Sequence, residues 1–192
     1  MKNKDINVFI TARTNSSRLP KKCLLSFGSS TVIEHVIDRS KNSGFKTFLC
    51  TTIEKSDNIL EDIAIKKGIK LYRGSVQNKM LRWLQCAKKF NLDFFHTIDA
   101  DDPFFCPEEV TRSYNALISS SNFDIIKPSH SSSRGGATVG YTIRTSSLNK
   151  ALKYVAEDSD TEMISGVLDT NKDLCQLELS EPSKYIITNR LT

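Results

Sequence analysis

Short runs of β-branched and aromatic residues alternate with helical patterns along most of the chain, and this alternation constrains its fold more than any other feature. The apolar runs predict strands at 8–11, 47–52, 70–72, 94–98 and 124–127. Helical periodicity fills the intervals between them. Such repeated strand-helix-strand units predict a doubly wound α/β domain with a mostly parallel sheet and helices on both faces, in three layers.

Local start and stop signals support the helices of this pattern. Thr31 and Glu34 have the spacing of a capping box, which predicts a helix that ends near Ser43. Asp57 is expected to cap the next helix, with Gly68 as its stop. A further helix is predicted at 80–90, and Pro107 is expected to begin another.

The last third of the chain is more polar and begins with a loop. A polar loop is expected at 130–136, followed by a strand at 141–145 and a helix at 146–156. No linker composition separates a second domain, so residues 1–192 are predicted to form a single domain. No run of about 18 apolar residues is present, so no membrane span is expected.

The basic charge of the chain is concentrated in one segment. The chain has 27 Lys+Arg and 22 Asp+Glu, and four of the cations lie within the ten residues 13–22, whereas no acidic residue lies between Asp5 and Glu34. A local excess of this kind favours a compact polyanion such as a nucleoside triphosphate over nucleic acid or a membrane surface. The five cysteines are odd in number and form no C-x-x-C pair, which predicts a reducing, cytoplasmic location.

The basic segment Arg13-Thr14-Asn15-Ser16-Ser17-Arg18-Leu19-Pro20-Lys21-Lys22 directly follows the first predicted strand. It offers guanidinium forks, hydroxyls, backbone N–H groups and an ammonium, all of which bind phosphate oxygens. It lacks the glycine patterns of a Walker loop and of a dinucleotide fingerprint. Its position at the carboxyl end of a strand favours a phosphate site over the alternative, a solvated basic turn.

An acidic cluster, Asp99-Ala100-Asp101-Asp102-Pro103, follows the fourth predicted strand at the same edge of the sheet. In an extended segment Asp99 and Asp101 face the same way, so they could share a hard cation such as Mg²⁺. The alternative is an acidic turn in which Asp102 caps a helix. The repulsion between clustered carboxylates favours a cation at Asp101.

Weaker candidates lie elsewhere on the chain. Arg73 and Arg82 are candidates for the base or ribose side of a nucleotide, although surface arginines are common. Lys127 and Arg134 could line a pocket for an anionic acceptor, although a mobile polar loop has the same sequence pattern.

The opening segment Ile10-Thr11-Ala12-Arg13-Thr14-Asn15-Ser16-Ser17-Arg18-Leu19-Pro20-Lys21-Lys22 resembles the nucleotide-binding start of the cytidylyltransferase family, close to Q-A-R-x-x-S-x-R-L-P-x-K. That family includes the CMP-sugar synthetases, and its spore-coat polysaccharide branch looks most similar. Tyr72-Arg73-Gly74-Ser75 with Arg82, and the Asp99 to Pro103 segment, also match that branch. The resemblance implies a Rossmann-like nucleotidyltransferase fold, related to the GT-A fold.

The resemblance also implies roles for individual residues. Lys22, Arg18 and Asp101 would be catalytic, and Asp101, supplemented by Asp99, would bind Mg²⁺. Glu162 lies where members often carry Glu-His, which implies a place near the acceptor together with Lys127 and Arg134. The implied nucleotide-binding residues are Ala12, Arg13, Ser16, Ser17, Arg18, Lys22, Arg73 and Arg82.

The chain departs from the family pattern at several positions. Thr11, Asn15, Lys21 and Met163 replace the usual Gln, Gly, Gly and His. Family members usually continue past residues 187–192 into an aspartate-bearing segment that supplies a second metal-binding acid. We therefore expect that the chain lacks a C-terminal segment and that turnover by this chain alone is weak or absent.

These observations together predict a Mg²⁺-dependent cytidylyltransferase of polysaccharide or glycan biosynthesis. A hydroxyl of an acidic sugar or related anion would attack the α-phosphorus of CTP and release pyrophosphate. The expected partners are CTP and the small anionic acceptor, without nucleic acid or membrane, and the resemblance allows a homodimer. Two alternatives stay open: a GT-A glycosyltransferase that uses Asp99-x-Asp101, and a non-catalytic nucleotide-binding homologue.

Overall fold

The structure is a computed structural model that describes residues 5–15, 19–133 and 140–181. In this part of the chain, strands and helices alternate as the sequence predicts. The strands are β1 (Asn7–Thr11), β2 (Ser26–Phe27), β3 (Ser30–Thr31), β4 (Lys46–Thr52), β5 (Lys70–Gly74), β6 (Phe94–Asp99), β7 (Ile125–Lys127), β8 (Thr142–Arg144) and β9 (Gln176–Glu178). The helices are α1 (Val32–Asn42), α2 (Asn58–Lys67), α3 (Lys79–Lys89), α4 (Pro107–Ile118), α5 (His130–Ser133), α6 (Thr145–Leu152) and α7 (Ile164–Leu168).

Seven of the described strands form one sheet, in the order β5-β4-β1-β6-β8-β7-β9. The four strands on the β5 side are parallel to one another, with β1 between β4 and β6. Strand β8 is antiparallel to both of its neighbours, and β9 pairs with β7 in parallel. The predicted mostly parallel α/β sheet is therefore confirmed, with β8 as the exception.

Alternate residues of β1 face opposite sides of the sheet, and each side is covered by helices. Val8 and Ile10 pack with apolar residues of α1, α2 and α4 on one face. Phe9 packs on the other face, where it stacks on Phe95 with ring centroids 4.3 Å apart, together with apolar residues of α3, α6 and α7. These two apolar layers give the predicted three-layer arrangement.

The capping box at the start of α1 is confirmed. The backbone N–H of Glu34 donates to Thr31 Oγ1, and Glu34 Oε2 accepts from the backbone N–H of Thr31. Glu34 also accepts a 2.8 Å hydrogen bond from Lys66 of α2, which lowers the pKa of Glu34 to about 2. The carboxylate thus joins two helices as well as capping one.

Other predictions need correction. Asp57 occupies the cap position of α2, but its side chain makes no capping hydrogen bond because its carboxylate accepts from threonines instead. The loop predicted from residue 130 begins with the short helix α5, and α6 ends at Leu152 rather than at residue 156.

The five cysteines are free thiols. None of the described helices is both long and apolar enough to cross a membrane.

Candidate active site

Two adjoining cavities of about 410 Å³ each open beside the carboxyl ends of β1 and β6. The basic cavity is lined on one side by Ala12, Arg13, Lys22 and Arg82. The aromatic cavity is lined on its far side by Trp83, Phe105, Gly140 and Tyr141. The two cavities have a shared wall, formed by Lys79, Asp99, Asp101, Glu162 and Met163.

A buried carboxylate holds the start of the basic segment in place. Asp57 is 1% exposed, and its Oδ1 accepts from both the backbone N–H and the hydroxyl of Thr14, at 2.7 and 2.6 Å. Its Oδ2 accepts from the hydroxyls of Thr51 and Thr52 at the end of β4. Burial alone would raise the pKa of Asp57, but the hydrogen bonds from Thr14, Thr52 and Thr51 outweigh it and lower the pKa. Asp57 therefore stays ionised and ties the loop to the sheet.

The sequence predicted Asp57 as a helix cap and did not predict this role in holding the loop. The available signal was the spacing of Asp57, which lies six residues after Thr51 and five after Thr52, the two threonines at the end of a strand. A helix cap explains an aspartate at that position equally well, so the pattern alone did not distinguish the two roles.

Cations and carboxylates alternate along the shared wall. Lys22 pairs with Asp101, and Lys79 Nζ lies 3.0 Å from Asp99 Oδ1. Glu162 lies between two cations, 3.4 Å from Arg13 Nη2 and 3.9 Å from Lys79 Nζ. The structure therefore brings together six charged groups from four separate segments of the sequence.

Glu162 reaches this wall because the residue before it is docked on the start of α3. Thr161 is buried, and its hydroxyl accepts from the backbone N–H of Met80 at 3.0 Å and donates to Asn78 Oδ1 at 3.1 Å. Asn78 also caps α3 by accepting from the backbone N–H of Leu81. Glu162 was expected near the acceptor from the family resemblance alone, and no sequence pattern singled out Lys79, Asn78 or Thr161.

Arg82 lies deep in the basic cavity, with 1% of its surface exposed. Its Nη1 donates to the carbonyl oxygen of Ser75 at 2.6 Å, while its Nε finds no hydrogen-bond partner among the described residues. Burial lowers the pKa of this guanidinium. A buried cation with an unpaired donor is suited to an anion or carbonyl oxygen that enters the cavity.

Several predicted site residues lie elsewhere. Arg73 lines neither cavity, because its guanidinium binds the backbone carbonyls of Thr52 and Glu54 and the carboxylate of Glu61. Lys127 also lines neither cavity and pairs with Asp169 at 3.2 Å. The predictions for Ser16, Ser17, Arg18 and Arg134 fall outside the described residues and stay predictions.

Close backbone packing shapes the aromatic cavity. The N–H of Gly140 donates to His96 Nε2 at 3.2 Å, and Tyr141 exchanges hydrogen bonds with Thr97. A Cβ on Gly140 would lie 1.8 Å from the carbonyl oxygen of Thr97, so only glycine fits this approach. His96 is fully buried, and burial lowers its pKa to about 3. Its ring is therefore neutral, with Nε2 as an acceptor and Nδ1–H donating to Thr142.

The carboxylates of the shared wall fit a hard divalent cation. The side chains of Asp99 and Asp101 are 61% and 41% exposed toward the cleft and carry the oxygen donors that Mg²⁺ prefers. No group of three or more metal-binding side chains occurs among the described residues. Proteins usually hold Mg²⁺ through one or two carboxylates together with substrate phosphates and water.

The structure is an α/β protein with a cleft at the carboxyl edge of its sheet, which is where α/β proteins of this kind bind their ligands. A family model described as cytidylyltransferase matches residues 7–157, and the chain therefore belongs to the cytidylyltransferase family. This confirms the family that the opening motif resembles.

Curated relatives and solved structures agree with this assignment. The chain is 30% identical to the spore coat polysaccharide biosynthesis protein SpsF of Bacillus subtilis, over 54% of this chain and 46% of that protein. It is 26% identical to the 3-deoxy-manno-octulosonate cytidylyltransferase of Rickettsia akari, over 80% of this chain and 64% of that enzyme. The chain thus spans less than two thirds of the length of either relative. A cytidylyltransferase structure from Leptospira borgpetersenii shares the fold, with a TM-score of 0.81 at 23% identity over 92% of this chain and 76% of that one.

Proposed function

We propose that this protein transfers CMP from CTP to a sugar hydroxyl and releases pyrophosphate. The observation that carries the proposal is the shared wall of charged residues, which separates a basic cavity from an aromatic cavity. A transferase of this kind must hold two substrates on either side of one reacting phosphorus. The two adjoining cavities supply those two places.

In this proposal the triphosphate of CTP lies in the basic cavity. Arg13 and Lys22 are the cations that neutralise its oxygens, and Arg18 would join them from the same segment. Arg82 would donate its unpaired Nε–H to the nucleotide. Asp57 positions this machinery by fixing Thr14, so the cations are in place before the nucleotide arrives.

A divalent cation, Mg²⁺ in our proposal, would be held by Asp101, with Asp99 as the other candidate carboxylate. When bound, it would neutralise negative charge on the phosphates. Lys22 can move from Asp101 to a phosphate, because the exposed pair that it leaves contributes only about 0–1 kcal/mol.

The acceptor hydroxyl would enter from the aromatic cavity, with Tyr141 and Met163 on its walls. We propose an acidic sugar or related anion as the acceptor class, used in surface polysaccharide or glycan biosynthesis, in keeping with the names of the two curated relatives. The acceptor hydroxyl oxygen forms a bond to the α-phosphorus and gives up its proton to water, while the bond from that phosphorus to the pyrophosphate oxygen breaks and pyrophosphate leaves with the electron pair. The residues contribute mainly through charge and orientation.

Pyrophosphate release from CTP, Mg²⁺ and a panel of sugar acids tests the proposal. Lys22→Ala and Asp101→Ala should each abolish the release that the unaltered chain shows, while circular dichroism shows the folded protein. Lys46→Ala and Asp93→Ala are matched controls, because these exposed residues lie at the amino ends of β4 and β6, on the opposite edge of the sheet. Release that survives in both active-site variants would refute the assignment.

The pair Asp99-x-Asp101 at the cleft also fits a GT-A glycosyltransferase that binds a nucleotide-sugar. Titration calorimetry with CTP and with UDP-sugars separates the two functions. Tighter binding of CTP supports the cytidylyltransferase, and tighter binding of a UDP-sugar supports the rival. CTP binding without turnover would indicate a non-catalytic homologue.

A further inference from the structure

Two lysines pair with the two aspartates of the shared wall, but the structure holds them very differently. Lys22 belongs to a single 3-10 turn (Lys22–Leu24), follows a left-handed residue, and keeps 32% of its side chain exposed. Lys79 is the first residue of α3 and keeps only 6% of its side chain exposed.

Lys79 is fixed from several directions. Its ammonium lies 5.3 Å from the ring centroid of Trp83, which is itself anchored by a 2.8 Å hydrogen bond to Thr11. Its backbone belongs to the helix start that Asn78 caps and on which Thr161 docks. The side chain therefore reaches Asp99 from a rigid base.

The cost of leaving the aspartate also differs between the two lysines. An exposed lysine that leaves a carboxylate regains water or binds a phosphate, so Lys22 can exchange partners easily. The buried ammonium of Lys79 would keep only the more distant Glu162, at 3.9 Å, if it lost Asp99, and such incomplete compensation of a buried charge is costly. Lys79 therefore stays with Asp99 while Lys22 moves.

We propose that Lys79 is a resident cation of the active site that occupies Asp99, so that Asp101 alone recruits the divalent ion. Lys79 is then a positioning residue: it fixes Asp99 and places a permanent positive charge on the wall between the nucleotide and the acceptor. It is also the one cation among the described residues that line the aromatic cavity. This inference rests on the proposed function and refines its metal site.

The test measures the affinity for a divalent metal ion rather than turnover. Mn²⁺, which takes the same oxygen ligands as Mg²⁺, is titrated into the full chain with saturating CTP and no acceptor, and free Mn²⁺ is followed by electron paramagnetic resonance. Asp101→Asn should weaken Mn²⁺ binding at least tenfold. Asp99→Asn should change it less than twofold, because Lys79 already occupies that carboxylate.

Removal of Lys79 should leave Asp99 free to bind the metal ion. In Lys79→Met we expect Mn²⁺ to bind three- to tenfold more tightly, and in Lys79→Met/Asp99→Asn we expect that gain to disappear. Lys88→Met is the matched control, because Lys88 is an exposed lysine on the same helix. A purely structural role of Lys79 would not make the metal affinity depend on Asp99.

Equal weakening by Asp99→Asn and Asp101→Asn in the otherwise unchanged chain would overturn the inference, and this comparison does not require Lys79→Met to fold. If that result came with normal pyrophosphate release, the proposed function would stand and only the role of Lys79 would fall. Absence of CTP binding or of Mn²⁺ binding in the unaltered chain would overturn both the inference and the proposed nucleotide-metal site.

Discussion

The basic and aromatic cavities share one wall, yet the chain builds them in different ways. The basic cavity depends on a loop that is held by a buried, ionised side chain, Asp57. The aromatic cavity depends on close contact between two backbone segments, at Gly140 and Thr97, with the neutral His96 beneath. One side is therefore fixed by charge and hydrogen bonds, and the other by packing.

This difference suits the two substrates that we propose. A triphosphate carries several charged oxygens, which a rigid set of donors can hold. An aromatic cavity with packed backbone on its wall selects its ligand by shape. Changes in Asp57 should therefore affect nucleotide binding, while changes in Gly140 should affect the acceptor side.

Asp57→Ala should have the largest effect. It leaves the N–H and hydroxyl of Thr14 and the hydroxyls of Thr51 and Thr52 without their buried acceptor, which should cost about 4 kcal/mol in the free energy of unfolding. Asp57→Asn keeps the side-chain shape and should cost less. We expect the affinity for CTP, measured by calorimetry on the folded fraction, to fall at least tenfold in Asp57→Asn.

Asp38→Ala is the control for Asp57. Asp38 pairs with Lys67 on the surface, so its loss should cost less than 1 kcal/mol and leave CTP binding unchanged. Unaltered affinity for CTP in Asp57→Asn would show that the loop holds its shape without this carboxylate.

Gly140→Ala should have the next largest effect, and this substitution acts on the aromatic cavity. Its Cβ would meet the carbonyl oxygen of Thr97 at 1.8 Å, so the backbone must shift, at a cost of about 3 kcal/mol. Urea unfolding measures this cost. In the remaining folded protein we expect CTP binding within threefold of the unaltered chain.

Gly166→Ala provides the matched control for that substitution. A Cβ on Gly166 meets no atom within 4 Å, and the residue lies in α7, so alanine should be neutral or slightly stabilising there. Equal stability of the two alanine variants would contradict the proposed close approach at Gly140.

The sequence predicted those parts of the molecule that depend on neighbouring residues. The capping box of Thr31 and Glu34 and the buried strand β1 follow from local spacing, and both are confirmed. The parallel arrangement also followed, because short loops between strands and helices leave few other topologies. The basic segment was found for the same reason, since its charges are adjacent in the chain.

The rest required tertiary contacts that no local pattern encodes. Lys79 matters because α3 begins beside Asp99 and Glu162, which lie 20 and 83 residues further along the chain. A motif match also does not fix where a side chain lies. Arg73 matches a family motif, yet in the structure its guanidinium binds the β4–α2 connection, and Arg73 lines neither cavity.

The smallest of the expected effects is a dependence of stability on pH that arises beneath the aromatic cavity. His96 has a folded-state pKa of about 3 and an ordinary value of 6.5, so the unfolded chain binds a proton that the folded chain does not. Stability from this residue is therefore complete above about pH 6.5 and is lost as the pH falls toward 3. Between pH 7 and pH 5 the loss should be about 2 kcal/mol, before most carboxylates titrate.

Urea unfolding midpoints at pH 7 and pH 5 measure this loss of stability. His96→Gln should remove most of this difference, whereas the exposed His130→Gln should keep it. An equal pH dependence in His96→Gln and the unaltered chain would show that other groups cause the loss of stability between pH 7 and pH 5.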